Sequence, residues 1–535
     1  MYRRGISMAQ RLARRLAVAC ALASAAALLA GCGSDSSTAT PAASTTHGTL
    51  ALSPPLRIAS VDAAAFTAQI EATASGGALL TVTGLPTCGV DFYYITFWTV
   101  GAAGETTESS GALMVPTGAA PACSGPRPIV LYAHGTAFEK NFNIADITNT
   151  SNTEGALVAA TFAAQGYIVV APNYAGYDIS TLGYHPFLNA SQQSGEMIDA
   201  LTAARTALPS TYASSTTDSG KLFITGYSEG GYVAMATERA LELSGATVTA
   251  AAPMSGPYAL EGLFDAAFFG DVILGSTLFT PLVTTSYQHA YNNVYTATTD
   301  FYSSTYATGI DTLMPTTVSP YSDLFTQGLL PQSALFDSTT PVVPGEPGLT
   351  AALEVPSNKS DPRTPLFAAG FGTPYLINNS ARVDYAIDAA GNPDGTASGS
   401  ASLAAKVPLN GLRLDLYKND LRNGGWAPTA PTLLCGGEND PTVFFSVDTL
   451  TMAAFWSYLP AGLVTVLDVD PAAGPSGPYA LIQAGFQASQ LAELASLESS
   501  GYTASEAQEQ LLQNYHGTSV PPFCTLAART FFDHF

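Results

Sequence analysis

The chain has 535 residues and a formal charge of −22, yet only 11% of its residues are charged. A chain of this length and apolar content can bury one large core or two smaller ones. Its acidic surface repels phosphate backbones, which argues against nucleic acid as a partner.

The amino terminus has the features of an export signal. Residues 1–31 contain five arginines, no acidic residue and an apolar run too short to span a membrane. The run ends in Leu28-Leu29-Ala30-Gly31-Cys32, which resembles the lipobox of bacterial lipoproteins, where the cysteine after the cleavage point is acylated. We therefore expect a lipoprotein signal peptide at 1–31 and a lipid anchor on Cys32 that attaches the protein to a membrane. A conventional secretory signal is the alternative.

The residues after the signal predict a location and a tether. Residue 33 is glycine and not the aspartate that resembles an inner-membrane retention signal, so we expect the outer membrane, on its periplasmic or cell-surface side. Residues 32–55 consist largely of Ser, Thr, Ala and Pro, which predicts a flexible tether.

Strands and helices then alternate along the chain. Apolar runs predict strands at Leu79 to Val82, Phe92 to Val100 and Thr106 to Val115, the last two as an antiparallel hairpin. Predicted strands at 128–133, 167–171, 222–225 and 247–252 are separated by predicted helices at 154–165, 192–208 and 229–243. Continuously apolar strands between helices indicate a parallel sheet that is covered on both faces. The order is similar to that of the α/β-hydrolase fold.

The alternation stops after residue 257 and resumes near residue 430. Residues 258–429 are aromatic and proline-rich, and they are too numerous for a plain loop, so we expect a mostly helical cap over the active site. A strand at 431–434, a helix at 444–458 and a strand at 463–469 complete the core, and residues 471–514 form a second helical insertion. The predicted core is thus 56–257 with 430–535.

A candidate nucleophile lies between a predicted strand and a predicted helix. Gly226-Tyr227-Ser228-Glu229-Gly230-Gly231 has the Gly-x-Ser-x-Gly pattern of the nucleophile elbow, in which glycines let neighbouring backbone pass close to a strained serine. An ordinary strand-to-helix turn with a capping serine is the alternative.

A serine nucleophile needs a histidine base, and that histidine needs a carboxylate. In the α/β-hydrolase fold the acid follows the serine along the chain and the histidine comes last. Of the six histidines, only His516 and His534 therefore qualify. We prefer His516, in a predicted loop before the final helix, although it could be a surface residue. Asp440 follows the strand at 431–434 and is the predicted acid; Glu438 competes, and Asp440 could also cap the next helix.

Acyl transfer needs two donors for the oxyanion. One is the backbone N–H of Glu229, whose side chain we interpret as a helix-start acid. The other is expected in His134-Gly135-Thr136-Ala137, which resembles the His-Gly oxyanion segment of esterases. Thr136 is the preferred donor and Gly135 the next, and His134 is expected to shape this loop.

Four cysteines remain for disulfides, namely Cys88, Cys123, Cys435 and Cys524. In an oxidising compartment they suggest two bridges, with three possible pairings. We favour Cys88 with Cys123 and Cys435 with Cys524, because each pair flanks segments that the fold brings together. The second bridge would tie the acid's strand to the helix behind His516. No close Cys/His spacing indicates zinc, and we expect neither a metal nor an organic cofactor.

The chain resembles the secretory lipase family, whose type member is a fungal lipase A, over residues 90–260 and 430–535. The resemblance rests on Gly166-Tyr167-Ile168-Val169-Val170-Ala171-Pro172-Asn173-Tyr174, on His185-Pro186-Phe187 and on the elbow. Such proteins hydrolyse carboxylic esters, often lipids, with a Ser-Asp-His triad under a large helical lid, which implies these roles for Ser228, Asp440 and His516. Two features depart from the family: Asn173 stands where aspartate is common, and the 471–514 insertion is long.

These patterns predict an exported serine carboxylic ester hydrolase, an esterase or lipase that forms an acyl-serine intermediate on small-molecule or lipid esters. One alternative is a serine peptidase of the prolyl oligopeptidase type; such enzymes usually carry a β-propeller in front, and nothing before Leu79 can supply one. Another alternative is an inactive binding lipoprotein on a hydrolase scaffold.

Overall fold

The computed structural model describes residues 46–535, except 74–75, 148, 150–151, 213–214, 359 and 396–404. The predicted signal peptide and Cys32 lie outside the described residues. The end of the predicted tether lies inside them and requires a correction. The N–H of Gly48 donates to the carbonyl of Trp98 at 2.9 Å and that of Ala51 to Thr96 at 2.8 Å, so residues 48–51 are attached to the folded core.

A nine-stranded sheet forms the centre of the molecule, in the order β1-β2-β3-β5-β4-β6-β7-β8-β9. Strands β1 to β3 pair antiparallel, β3 pairs antiparallel with β5, and the remaining neighbours are parallel. The α/β-hydrolase fold and its amino-terminal hairpin are thus confirmed. The strands are β1 Leu56–Val61, β2 Gly89–Val100, β3 Thr106–Thr117, β4 Gly125–Ala133, β5 Ile168–Pro172, β6 Thr216–Tyr227, β7 Ala250–Met254, β8 Thr432–Gly436 and β9 Val464–Asp468.

Helices cover both faces of this sheet. Alternate residues of β4 point to opposite faces, so Ile129 and Leu131 belong to one apolar cluster and Val130 and Tyr132 to the other. The core helices are α1 Ala63–Glu71, α2 Gly76–Thr83, α3 Thr153–Thr161, α4 Ala190–Ala207, α5 Glu229–Leu243, α13 Thr449–Phe455, α14 Ala480–Ser499, α15 Ala504–Asn514 and α16 Val520–Phe532. Helices α4 and α5 lie on the first face, and α3 and α16 on the second.

The cap between β7 and β8 contains helices joined by long irregular segments. They are α6 Leu260–Phe268, α7 Ser276–Tyr291, α8 Asp323–Thr326, α9 Pro347–Ala352, α10 Thr364–Ala368, α11 Asn379–Gly391 and α12 Gly411–Asn419. The buried guanidinium of Arg413 on α12 lies 2.7 Å from Asp265 on α6 and 3.0 Å from Asp388 on α11. A buried charge is retained at low cost only when it is paired, so this arginine joins three cap helices.

One local prediction is wrong. Leu79 to Val82 belongs to helix α2 and forms no strand. The edge of the sheet is instead β1, which pairs with β2. Four apolar residues fit a buried strand and a buried helix turn equally well, because periodicity cannot separate them at that length.

Two disulfides join distant segments, Cys88 with Cys123 and Cys435 with Cys524. These are the pairings that the sequence analysis favours. The second joins the end of β8 to α16.

Candidate active site

Ser228 occupies the sharp turn between β6 and α5. Its backbone has φ +60° and ψ −125°, a conformation that a residue with a side chain adopts only under strain. The flanking glycines are required by close contacts. A Cβ atom on Gly226 would lie 2.4 Å from the carbonyl oxygen of Ala133, and one on Gly230 would lie 2.0 Å from the same atom. The Gly-x-Ser-x-Gly pattern thus lets β4 and α5 pack directly against the strained turn.

His516 lies between Ser228 and Asp440. Its Nε2 atom is 2.7 Å from Oγ of Ser228, and its Nδ1 atom is 2.6 Å from Oδ2 of Asp440. A carboxylate only accepts hydrogen bonds, so it fixes the imidazole proton on Nδ1. Nε2 is then free to take the proton of the serine hydroxyl. The three residues predicted from the sequence therefore form one hydrogen-bonded chain.

Asp440 is almost fully buried and is held by the backbone that follows it. Its Oδ1 atom accepts hydrogen bonds from the N–H groups of Thr442 at 2.8 Å and Val443 at 3.0 Å, while Oδ2 accepts from His516. Asp440 is thus the partner of the imidazole, and it caps the turn that follows it. It is not a helix cap, because the next helix begins at Thr449 and not at the predicted residue 444. The competing residues lie elsewhere. Glu438 is exposed and accepts from the N–H of Ala472, and Nδ1 of His534 lies 2.8 Å from the carbonyl of Thr530.

The backbone around His516 is helical, which corrects the predicted loop. Residues Tyr515–Ser519 form a π-helical turn that connects α15 to α16, and such turns are frequent at functional sites. The hydroxyl of Tyr227, the residue before the nucleophile, donates to the carbonyl of His516 at 2.7 Å. The Cys435–Cys524 bridge connects the strand before Asp440 to the helix after His516.

The second predicted oxyanion segment lies beside Ser228. A Cβ atom on Gly135 would be 3.7 Å from Cβ of the serine. The N–H of Gly135 already donates to the carboxylate of Glu154, at 3.0 and 3.2 Å, so it is not available to an oxyanion. Among the described residues no acceptor receives a hydrogen bond from the N–H of Thr136. Glu229 is the first residue of α5, whose N–H has no acceptor within its own helix.

Three side chains fix the loop that contains Thr136. The hydroxyl of Tyr174 donates to the carbonyl of His134 at 3.0 Å, and the hydroxyl of Tyr177 donates to the carbonyl of Ala137 at 2.5 Å. Nδ1 of His134 lies 2.6 Å from the carbonyl of Gly135. Burial lowers the pKa of His134 to about 4, so the ring is neutral at pH 7. His134 is therefore a residue that shapes the loop, as its sequence context indicates.

Glu154 was not identified from the sequence as part of this region. It accepts hydrogen bonds from the N–H of Gly135 and from the hydroxyl of Tyr132. Removal of the carboxyl from water raises its pKa to about 7. Its position at the start of α3 gave no signal, because an acid in the first helical turn is ordinarily a solvated residue that suits the helix dipole.

The side chain of Glu229 is buried and is not the simple helix-start acid that we expected. Its Oε1 atom lies 2.7 Å from Nε2 of His185 and accepts a hydrogen bond from Nε2 of Gln193 at 2.6 Å. The sequence singles out His185 only as part of the His185-Pro186-Phe187 motif, which does not indicate a contact with Glu229.

Asn173, which stands where aspartate is common in the family, has a structural role. Its Oδ1 atom accepts a hydrogen bond from the N–H of Ile144 at 2.8 Å.

Comparisons with known proteins agree with this fold. Residues 155–254, which run from α3 through β7, match the prolyl oligopeptidase family. No curated protein sequence matches the chain. A crystal structure of a single-residue variant of the rice cell wall degrading esterase LipA from Xanthomonas oryzae matches with 25% identity and a TM-score of 0.62, over 91% of this chain and 99% of that one.

Two more distant structures also match. A protein from Legionella pneumophila shares 17% identity at a TM-score of 0.53, over 90% of this chain and 96% of that one. Candida antarctica lipase A, of the type that the sequence resembles, shares 13% identity at a TM-score of 0.36, over 79% and 76% of the two chains, a likeness too remote to carry an inference. The topology, the elbow and the esterase match together identify the chain as a hydrolase of the α/β-hydrolase superfamily.

Proposed function

We propose that the protein is a serine carboxylic ester hydrolase. The observation that carries the proposal is the hydrogen-bonded chain from Ser228 through His516 to Asp440, at 2.7 and 2.6 Å. Two backbone N–H groups support it further: those of Glu229, the residue after the nucleophile, and Thr136, in the loop beside Ser228, donate no hydrogen bond to a described residue. A nucleophile, its base and two oxyanion donors are what acyl transfer requires.

The roles follow from the positions of the atoms. Nε2 of His516 removes the proton as Oγ of Ser228 attacks the ester carbonyl, and Asp440 stabilises the resulting imidazolium. The N–H groups of Glu229 and Thr136 bind the oxyanion of the tetrahedral intermediate. The imidazolium then protonates the leaving alcohol, which leaves an acyl-serine. Water, activated by the same imidazole, releases the acid and restores Ser228.

Two classes of substrate are compatible with such a site. Esters are favoured because the likeness to the esterase covers 91% of this chain. A peptidase activity is the second candidate, because residues 155–254 match the prolyl oligopeptidase family. That match covers only the part around the elbow.

We also propose that the protein is exported and lipid-anchored through Cys32, at the outer membrane. Two disulfides support an oxidising compartment, because such bonds are rare in reducing cytosol. No helix within the described part of the chain is long and apolar enough to cross a bilayer. Mass spectrometry of the mature protein tests the anchor, since Cys32→Ser should prevent the acylation and release the protein from membranes. A mature chain that begins elsewhere and lacks a lipid would refute it.

Hydrolysis of p-nitrophenyl esters from acetate to palmitate, with long-chain triglyceride and peptide substrates alongside, tests the function. The wild type should cleave esters and leave peptides intact, and Ser228→Ala should remain folded while kcat falls by at least about 10⁴-fold. Ser219→Ala, an exposed serine earlier in the same strand, is the control and should keep full activity. Equal hydrolysis by wild type and Ser228→Ala would place the active site elsewhere, and an inert wild type would favour a binding protein.

A further inference from the structure

We propose that His185 and Glu229 form a proton-sharing pair without net charge that positions the first oxyanion donor, and that His185 is a positioning residue for catalysis. The inference deepens the proposed function and rests on it. The donor in question is the backbone N–H of Glu229, directly after the nucleophile. The side chain of the same residue is the partner of His185.

The pair is sealed from solvent. The side chain of His185 has 0% of its surface exposed and that of Glu229 has 1%. Oε1 of Glu229 contacts both Nε2 of His185, at 2.7 Å, and the amide nitrogen of Gln193, at 2.6 Å. The other carboxyl oxygen, Oε2, has no hydrogen-bond partner among the described residues. A fully ionised, unneutralised carboxylate would be costly in such a place.

The contacts determine where protons can be. Nδ1 of His185 lies 2.8 Å from the carbonyl oxygen of Ala175. A carbonyl oxygen only accepts, so Nδ1 carries a hydrogen. A contact of 2.7 Å between Nε2 and Oε1 also needs a hydrogen, since two lone pairs would repel each other. Either an imidazolium donates to a carboxylate, or a carboxylic acid donates to a neutral imidazole. In both states the pair holds one shared proton and its net charge is zero.

Zero net charge matters because a negative charge develops next to this residue during the reaction. An uncompensated carboxylate on Glu229 would repel the oxyanion, because its buried side chain is not screened by water. His185 cancels that charge and also holds the side chain in place.

The same anchor reaches the second donor segment. Ala175, which accepts from His185, donates its own N–H to Glu196 at 2.9 Å. Its neighbour Tyr174 donates to the carbonyl of His134, at the start of the loop that contains Thr136. One buried segment thus supports both oxyanion donors.

Three variants test the pair: His185→Gln, Glu229→Gln and the two combined. Glutamine at 185 can still donate a hydrogen bond, yet it has no proton to share. Rates are therefore compared at alkaline pH, where the carboxyl of Glu229 in this variant is ionised and its charge is not compensated. We expect His185→Gln to lower kcat about 30- to 100-fold with KM within about threefold. Glu229→Gln, which removes the charge, should cost about five- to tenfold. The double variant should recover to the level of Glu229→Gln alone, because no carboxylate remains to be neutralised.

Recovery in the double variant separates charge compensation from simple packing, which would make the two losses add. Rates of inactivation by a fluorophosphonate, which directs its P=O oxygen at the oxyanion donors, should follow the same order. Circular dichroism and Tm establish that each variant is folded. If His185→Gln does not fold, the proposal is tested by comparing Glu229→Gln with the double variant. Charge compensation predicts equal kcat values for these two proteins.

Two outcomes overturn the proposal: a wild-type kcat in His185→Gln, or a double variant much slower than Glu229→Gln. Failure of the proposed function looks different. A wild type that reacts with the fluorophosphonate and hydrolyses no ester would refute the ester hydrolase, while the inactivation rates of the variants would still test the pair.

Discussion

The two sides of Ser228 are built in different ways. On the imidazole side, His516 and Asp440 are held mainly by elements that continue the core: a strand, a π-helical turn, backbone N–H groups and a disulfide. One side chain adds to these, since the hydroxyl of Tyr227 donates to the carbonyl of His516. On the oxyanion side, the loop around Thr136 is held by side chains from separate segments, among them Glu154, Tyr174 and Tyr177.

The two sides should therefore differ in how well they tolerate single substitutions. Backbone contacts and a covalent bridge survive most single substitutions. A buried hydrogen bond between a side chain and a backbone group does not, because loss of one partner leaves the other unsatisfied at a cost of about 1 to 3 kcal/mol. We therefore expect single substitutions of His516 or Asp440 to affect chemistry without loosening the site, and substitutions on the oxyanion side to affect both.

Among the variants that test this contrast, the largest effect is expected for Asp440→Asn. The amide keeps the size of the side chain and can donate to the imidazole, which stabilises the wrong tautomer, so kcat should fall about 10³- to 10⁴-fold. Urea unfolding should show a stability close to that of the wild type. Glu438→Gln is the matched control, because this exposed neighbour should leave kcat unchanged. A loss of activity confined to Glu438→Gln would exchange the two assignments.

The disulfides provide the second test. Removal of either bridge should cost about 2 to 5 kcal/mol of stability. Cys435→Ala with Cys524→Ala should also lower kcat, since this bridge joins the strand before Asp440 to the helix after His516. Cys88→Ala with Cys123→Ala is the control and should lower Tm while kcat at 25 °C is kept. Equal kcat values in the two double variants would show that the bridge does not hold the site.

The same contrast separates what the sequence predicts from what it does not. Ser228, Asp440 and His516 each follow a recognisable element, and their order along the chain is set by the fold, so reasoning from the sequence brings them together. The disulfide pairing follows from the same topology. Element ends are predicted less well: β6 begins six residues before the predicted strand, since Thr216 to Lys221 carry no apolar pattern.

Glu154, His185 and Gln193 could not be assigned from the sequence. Each is a polar residue in or beside a helix, and in one dimension such a residue is indistinguishable from a solvated one. Their roles depend on contacts between residues 19 to 44 positions apart, such as Glu154 with Gly135 and His185 with Glu229. Only the packed structure reveals that the carboxyl groups of Glu154 and Glu229 are buried away from water.

Glu154 gives the third prediction, which concerns pH. Its pKa in the folded protein is raised to about 7 from an ordinary value of 4.5, so folding favours the protonated acid. Its stabilising contribution is fully present below about pH 4.5 and is lost as the pH rises through about 7. Relative to Glu154→Gln, the wild type should lose up to about 3 kcal/mol of unfolding free energy between pH 5 and pH 8.

Urea unfolding of both proteins at four pH values in this range measures that difference. The comparison with the variant is needed because other buried acids, such as Glu196 and Asp468, also have raised pKa values. They contribute equally to the pH dependence of both proteins, so their effect cancels in the difference. A difference that does not change with pH would mean that Glu154 is ionised throughout, and that its hydrogen bonds outweigh desolvation.

The smallest effect is expected for Tyr177→Phe. The phenyl ring keeps the buried packing, and only the hydrogen bond to the carbonyl of Ala137 is lost. We expect about 1 to 2 kcal/mol of destabilisation and a fall in kcat of about three- to tenfold, because the Thr136 N–H is then less firmly oriented. Tyr212→Phe is the control, since this tyrosine is 75% exposed and should change neither quantity. If Tyr177→Phe lowers stability and leaves kcat intact, the loop is held by its other contacts, and the oxyanion side tolerates substitution as well as the imidazole side does.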